Sequence, residues 1–214
     1  MIASYGKMSK SFCKFDKMLH TMAMEEQIII YLQSVSNKFL DVFFQGISYL
    51  ASWVGAIALF LVIIIFVSKK FGLVFGGGFL VTIGVNYLLK IIINRPRPFE
   101  ANPEIINKLQ TIGKSFPSGH MVSVTFMVLA LWLLFYTLNK MGKFNLYNKR
   151  WFKVLSYAFG VLFIILAAVS RMYLGQHYIT DLIGGVVVSV LGFLLTLLIY
   201  KKCFSKQKKD NTIN

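Results

Sequence analysis

Apolar residues in this chain gather into long runs separated by short polar segments. Four runs are nearly unbroken, at 53–68, 71–93, 121–138 and 154–169, and a fifth covers 182–200. Each approaches or reaches the ~20 residues that cross the hydrocarbon core, so each predicts a transmembrane helix. The segment 25–49 behaves differently. Ile28, Leu32, Val35, Phe39 and Val42 recur at helical spacing, while Gln33, Asn37, Asp41 and Gln45 form a polar stripe. So many polar groups favour a helix lying in the outer interface over a sixth span. The pattern predicts an all-α membrane protein: a bundle of five strong transmembrane helices plus an N-terminal amphipathic helix, interfacial or sixth spanning.

Composition agrees with that class. Hydrophobic residues make up 57% of the chain and charged residues 14%, with a mean hydropathy of +0.66. No linker divides the molecule, which reads as a basic arm (1–24), one membrane domain (25–200) and a basic tail (201–214). No apolar run precedes Met24, so no cleavable signal peptide is expected. Lys7, Lys10, Lys14 and Lys17 favour an internal N-terminus and hence the sixth span; a start at Met22 or Met24 removes that conflict. Gly72 and Gly76 form a small-xxx-small pair that marks close helix packing. Cys13 and Cys203 show no metal-ligand spacing.

The net charge of +15 changes the picture only through its distribution. Lys69 and Lys70, the cations between Lys140 and Lys153, and those from Lys201 onward fall on one side when the runs alternate. That is the cytoplasmic side by the positive-inside rule, and solvated charge beside lipid accounts for it without nucleic acid. Arg95 and Arg97 then lie on the unfavoured outer side, where binding something anionic explains them better than topology.

Three polar clusters share that outer face. The first is Lys90 followed by Asn94-Arg95-Pro96-Arg97-Pro98. Prolines cannot continue the helix and push the arginines toward extended geometry. Alone, this reads as a helix end with flanking cations. The second is Pro117-Ser118-Gly119-His120, directly before a span. Free N–H groups at a helix start attract anions, glycine admits close approach, and histidine transfers protons near neutral pH. A plain loop-to-helix junction is the simpler reading of this cluster taken singly. The third runs from Ser170-Arg171 to His177 and Asp181. His177 and Asp181 are four residues apart, on one helix face, where a carboxylate can orient an imidazole that acts as nucleophile or base. A polar network locking two spans together would use the same residues. Polar groups at membrane depth are costly, and three clusters on three loops at one face favour function.

Together, Lys90-x6-Arg97-Pro98, Pro117-Ser118-Gly119-His120 and Ser170-Arg171-x5-His177-x3-Asp181 resemble the tripartite signature of the type 2 phosphatidic acid phosphatase superfamily. The superfamily also holds soluble vanadium haloperoxidases and glucose-6-phosphatase. Short loops and about five spans are similar to its bacterial lipid phosphatase branch, which includes undecaprenyl-diphosphatases and phosphatidylglycerophosphatases, many with six spans. The resemblance implies that His177 is the nucleophile, forming a phosphohistidine, with Asp181 fixing its tautomer. It implies that His120 is general acid and then base. Lys90, Arg97 and Arg171, helped by Ser118 and the Gly119 N–H, would hold the phosphoryl oxygens. Metal is not expected, because three cations would repel a divalent ion, and no cofactor is implied.

The expected partners are the bilayer and a membrane lipid phosphate. Undecaprenyl diphosphate ranks first because an outer-face site suits recycling of a carrier lipid; phosphatidylglycerophosphate, phosphatidic acid and lipid A phosphate are rivals. Lys114, Tyr173 and the loop 99–110 are expected at the entrance. A non-catalytic lipid-phosphate transporter is the competing class, but it would carry polar residues along a midplane path rather than at one face.

Overall fold

The computed structural model describes residues 24–210, with side chains to Lys202. The basic arm apart from Met24, Cys13, the alternative start at Met22 and the side chain of Cys203 lie outside the described residues. Helix α1 covers 24–34 and α2 is Lys38–Leu50. Asn37 starts α2 by accepting from Leu40 N–H at 2.9 Å, a cap that contributes about 1 kcal/mol. Helix α3 (Trp53–Val62) is capped by Ser52 and runs into a π-helical turn, Ile63–Val67. Ser68 then caps α4 (Lys69–Ile93). Helix α4 stops where Asn94 turns left-handed at φ 52, and a single turn, α5 (Pro98–Ala101), follows. The remaining helices are α6 (Gly119–Lys140), α7 (Arg150–Tyr173) and α8 (Ile179–Asp210), whose backbone continues through the first part of the basic tail.

Four described helices, α4, α6, α7 and α8, are each long and apolar enough to cross a membrane. The run at 53–68 does so only in combination. Trp53–Val67 is about 22 Å long at 1.5 Å per residue, short of a ~30 Å core. It joins α2 at a 52° bend, and the pair together has the length and composition of one broken span or a re-entrant loop, so the described helices make four spans, or five if the bent pair crosses. The all-α bundle expected from sequence is present, and this break falls between the two segments that the sequence separates, 25–49 and 53–68; the segment 25–49, expected as one helix, is itself divided at 35–37.

The polar stripe of 25–49 is taken up mostly by protein. Gln33 grips Ile106 from both sides, at 2.9 Å to its carbonyl and 2.9 Å from its N–H, and also reaches Tyr173 O. Asp41 pairs with Lys108 at 2.6 Å and accepts from the Tyr173 hydroxyl at 2.6 Å. Helices α1 and α2 thereby bind the loop 99–110 and the end of α7.

Helix α6 occupies the centre, packed against α3, α4, α7 and α8, with Met121 to Val128 buried all round. An aromatic row seals the bundle: Phe71 stacks on Phe75 at 4.4 Å, and Phe126 meets Phe79 and Phe193 edge-on at 5.7 Å. Lipid tails are as apolar as these rings, so close packing and ring geometry supply the association energy. Of the expected small-residue pair only Gly72 sits at a close approach, where a Cβ would meet Ile64 at 2.4 Å; one at Gly76 would make ordinary contact with Phe60 at 3.4 Å. Alternation of the four long helices puts the lysine clusters at one end and the linker 94–118, with the turn 174–178, at the other.

Candidate active site

Three chain breaks build the site. The first is the end of α4. Lys90 lies in its last turn, and the left-handed Asn94 sends the chain away through two prolines. Lys90 Nζ donates to the carbonyls of Lys114 at 2.8 Å and Ser115 at 3.1 Å. Arg97 is buried, with Nε on Gly113 O at 2.8 Å and NH1 on both oxygens of Gln176, at 3.0 and 3.1 Å. Both cations thus hold the segment 113–115 that leads into α6.

The second break is the start of α6. Ser118 N–H donates to Asp181 O at 3.0 Å, tying this turn to α8. Helix α8 comes close because residue 185 is glycine; a Cβ there would sit 2.5 Å from Ser118 O. Ser118 precedes the helix without capping it, and its fully buried Oγ has no hydrogen-bond partner among the described residues. A buried hydroxyl without a partner costs about 1–3 kcal/mol, a cost an anion bound there would remove. The first N–H groups of α6 have no intrahelical acceptor, and the helix dipole adds positive potential.

The third break is the turn between α7 and α8. Gly175 supplies φ +75, and a Cβ there would meet Ile106 O at 2.4 Å. Arg171, 2% exposed, donates from NH1 to Ser48 Oγ at 2.6 Å, while its buried Nε has no partner among the described residues. His177 is 2% exposed and Asp181 fully buried. His177 Nδ1 stands 3.5 Å from Asp181 Oδ2 and 3.5 Å from Ser115 Oγ, leaving Nε2 as the free ring nitrogen. Burial, then the positive fields of Arg171, Arg97 and Lys90, hold His177 well below the ordinary histidine range; a hydrogen bond with the Ser115 backbone works the other way. The imidazole is therefore neutral near pH 7, the form that can attack phosphorus.

A cavity of about 260 Å³ opens beside these groups, lined by His120, Arg171, Thr111, Leu109 and the corner between α2 and α3, including Gln45, Ser48 and Trp53. Every site residue expected from sequence lies at this end of the bundle. Tyr173 differs from expectation: it is buried against Phe44 and bonded to Asp41 rather than standing at an entrance.

Three contributors escaped the sequence reading. Ser115 donates to Asp181, and Gln176 carries Arg97 while bonding Asn107 and Thr111. Ser48 anchors Arg171 from α2. Gln176 could have been noticed as an uncharged polar residue beside His177; nothing in sequence placed Ser48 near Arg171, 123 positions away.

A family model described as the PAP2 superfamily matches residues 71–205. Lipid A 4′-phosphatase of Bacteroides thetaiotaomicron is 25% identical over 207 residues, covering 89% of this chain and 83% of that protein. The probable sphingosine-1-phosphate phosphatase of Dictyostelium discoideum is 31% identical over 178 residues, 80% of this chain, which spans 41% of that protein's length. Among solved structures, the transmembrane PAP2 type phosphatidylglycerolphosphate phosphatase from Bacillus subtilis superposes with a TM-score of 0.69 at 24% identity, covering 84% of this chain and 86% of that one. LpxE of Aquifex aeolicus gives 0.63 at 20% identity, covering 80% and 93%. At these identities the structural likeness establishes the fold. With the match running from α4 into α8 and enclosing all three polar clusters, the chain is a multi-pass membrane protein that belongs to the PAP2 superfamily.

Proposed function

We propose that this chain hydrolyses the phosphate of a membrane lipid through a phosphohistidine on His177, without metal, at the extracytoplasmic face. The observation that carries it is the neutral, buried His177, with Nδ1 toward Asp181 and three cations acting on it. In the first step Nε2 attacks phosphorus, the bond to the leaving oxygen breaks, and His120 supplies that oxygen with its proton. Asp181 fixes the tautomer and stabilises the imidazolium that forms. In the second step His120 takes a proton from water, the water attacks phosphorus, and the P–N bond breaks to release phosphate and neutral His177. Lys90, Arg97, Arg171, Ser118 and the Gly119 N–H meet charge spread over the equatorial oxygens, which is where phosphoryl transfer is stabilised.

The donor set supports a scheme without metal, because Lys90, Arg97 and Arg171 together repel a divalent ion from His177 and Asp181. The lysine clusters at the opposite end support the extracytoplasmic placement.

For the substrate, two observations favour a lipid phosphomonoester over the diphosphate ranked first from sequence. Among the described residues, Arg171 is the one permanent cation lining the cavity beside His120, where a leaving phosphate would need more. The relatives' names also specify phosphomonoesters: lipid A 4′-phosphate, sphingosine-1-phosphate and phosphatidylglycerolphosphate. Undecaprenyl diphosphate stands second, on the carrier-recycling logic of an outer-face site. Phosphate release by purified protein from a panel of these lipids and phosphatidic acid tests the reading. Preference for a monoester supports it, preference for undecaprenyl diphosphate reverses the order, and binding of every lipid without release would make the chain a transporter.

A further inference from the structure

Of the two arginines in the Arg95-Pro96-Arg97-Pro98 stretch, one faces away from the phosphate cage. Arg95 lies behind Asp181. Its NH1 donates to Asp181 Oδ1 at 2.7 Å and to Thr180 Oγ1 at 2.6 Å, and its NH2 pairs with Glu25 Oε2 at 3.2 Å. The guanidinium lies 4.0 Å over the Tyr178 ring. Glu25 belongs to α1, some 150 residues away in sequence, yet its carboxylate is nearly buried. It accepts from Thr180 N–H at 2.8 Å, one of the free donors at the start of α8, and from Thr180 Oγ1 at 3.3 Å. Glu26 beside it receives the Asn102 amide at 3.0 Å and the Tyr178 hydroxyl at 3.5 Å.

The two oxygens of Asp181 are thereby divided. Oδ2 receives Ser115 Oγ and the Tyr178 N–H at 2.9 Å and faces His177, while Oδ1 is held by Arg95. A carboxylate bonded on one oxygen only can rotate about its terminal torsion, which is broad. Arg95 removes that freedom. With carboxylates on both of its terminal nitrogens, it has little left to offer a phosphate.

We propose that Arg95, clamped by Glu25, is a positioning residue that fixes Asp181 toward His177, making α1 part of the catalytic apparatus. This rests on the reading of His177 as nucleophile. The charged and titratable groups facing His177 are Lys90 on α4, Arg97 in the linker, His120 on α6, Arg171 on α7 and Asp181 on α8. Arg95 and Glu25 act on it through Asp181.

The experiment compares Arg95→Ala, Arg95→Lys and Glu25→Gln with wild type for kcat, KM, vanadate inhibition and the pH profile of kcat/KM, using purified full-length protein in lipid. Arg95→Ala should lower kcat about 10- to 100-fold, the usual loss when a supporting partner of an active-site ligand is removed. KM and vanadate inhibition should stay within about threefold, because the cage is untouched, and Arg95→Lys should recover part of kcat. The pH profile should move in opposite directions. Loss of the Arg95 charge leaves Asp181 more negative toward His177, so the acid limb rises. Loss of the Glu25 charge leaves Arg95 uncompensated, so the acid limb falls.

Weakening of vanadate inhibition in step with kcat would make Arg95 a phosphate ligand and overturn the proposal, as would wild-type kcat and pH profile in both Arg95→Ala and Glu25→Gln. If Arg95→Ala fails to fold, Glu25→Gln decides alone: its acid limb moves down, or the proposal falls. A fully active His177→Ala enzyme would instead overturn the nucleophile reading itself. An inactive His177→Ala beside an unaffected Arg95→Ala would overturn only the positioning role.

Discussion

Ser118 offers the cleanest separation of binding from folding. Its Oγ has no partner among the described residues, so Ser118→Ala removes no hydrogen bond that they make. Thermal stability should stay near wild type, while vanadate inhibition weakens about ten- to hundredfold, the worth of one hydrogen bond to a charged group. Equal loss of stability and affinity would make Ser118 a structural residue. His177 makes a second residue-scale prediction. Its folded value lies below the ordinary ~6.5 of histidine, so proton uptake waits for lower pH. The acid limb of kcat/KM that reports His177 should fall below pH 6.5; a limb at or above 6.5 would contradict the burial and charge that surround it. By the same sign, an unfolded chain takes up this proton near 6.5 before the folded one does. Acidification from there therefore favours the unfolded state, and stability is lost as pH falls.

At the scale of elements, the long helices and the gathering of the three polar clusters at one end of the bundle could be read from sequence because each depends on local pattern. Runs such as 121–138 have no alternative but helix, and the three clusters carry their chemistry in fixed spacing. What escaped depends on contacts distant in the chain. The boundary between 25–49 and 53–68 is legible, but the 52° angle at which α2 meets α3 is not something a hydropathy run displays. The amphipathic stripe of 25–49 gave the polar positions but not their partners: Gln33 and Asp41 bind the loop 99–110, and Ser48 holds Arg171. His177 lies in the turn before α8 rather than on a helix face shared with Asp181, and its Nδ1 stands 3.5 Å from Oδ2 without a hydrogen bond between them, while Ser115, Arg95 and the Tyr178 N–H bond the carboxylate. The α6–α8 contact tests this scale. Gly185→Val would press against Ser118 O and Met121, separating the α6 start from α8. Activity and melting temperature should fall together; an unchanged enzyme would show that this close approach positions nothing.

The whole molecule is polarised, with lysine clusters at one end and the site at the other. With Cys13 and Cys203 replaced by serine, a single cysteine at Gln110 should react with an impermeant maleimide in intact cells. One at Asn145 should be protected until the cells are opened. The reverse pattern would invert the bundle and move the chemistry to the cytoplasmic leaflet. Activity should also survive EDTA, since the cage is built from cationic side chains; loss restored only by a divalent ion would require a different site.

The central claim is that phosphate passes through His177. Its most direct test is to quench the enzyme during turnover of labelled substrate under alkaline conditions, where a phosphoramidate survives, and to map the label. In wild type it should lie on His177. It should accumulate in His120→Ala given a substrate with a good leaving group, whose departure needs no acid but whose second step lacks its base. It should be absent from His177→Asn. Label on another residue, or turnover in His177→Ala near the wild-type rate, would contradict the account.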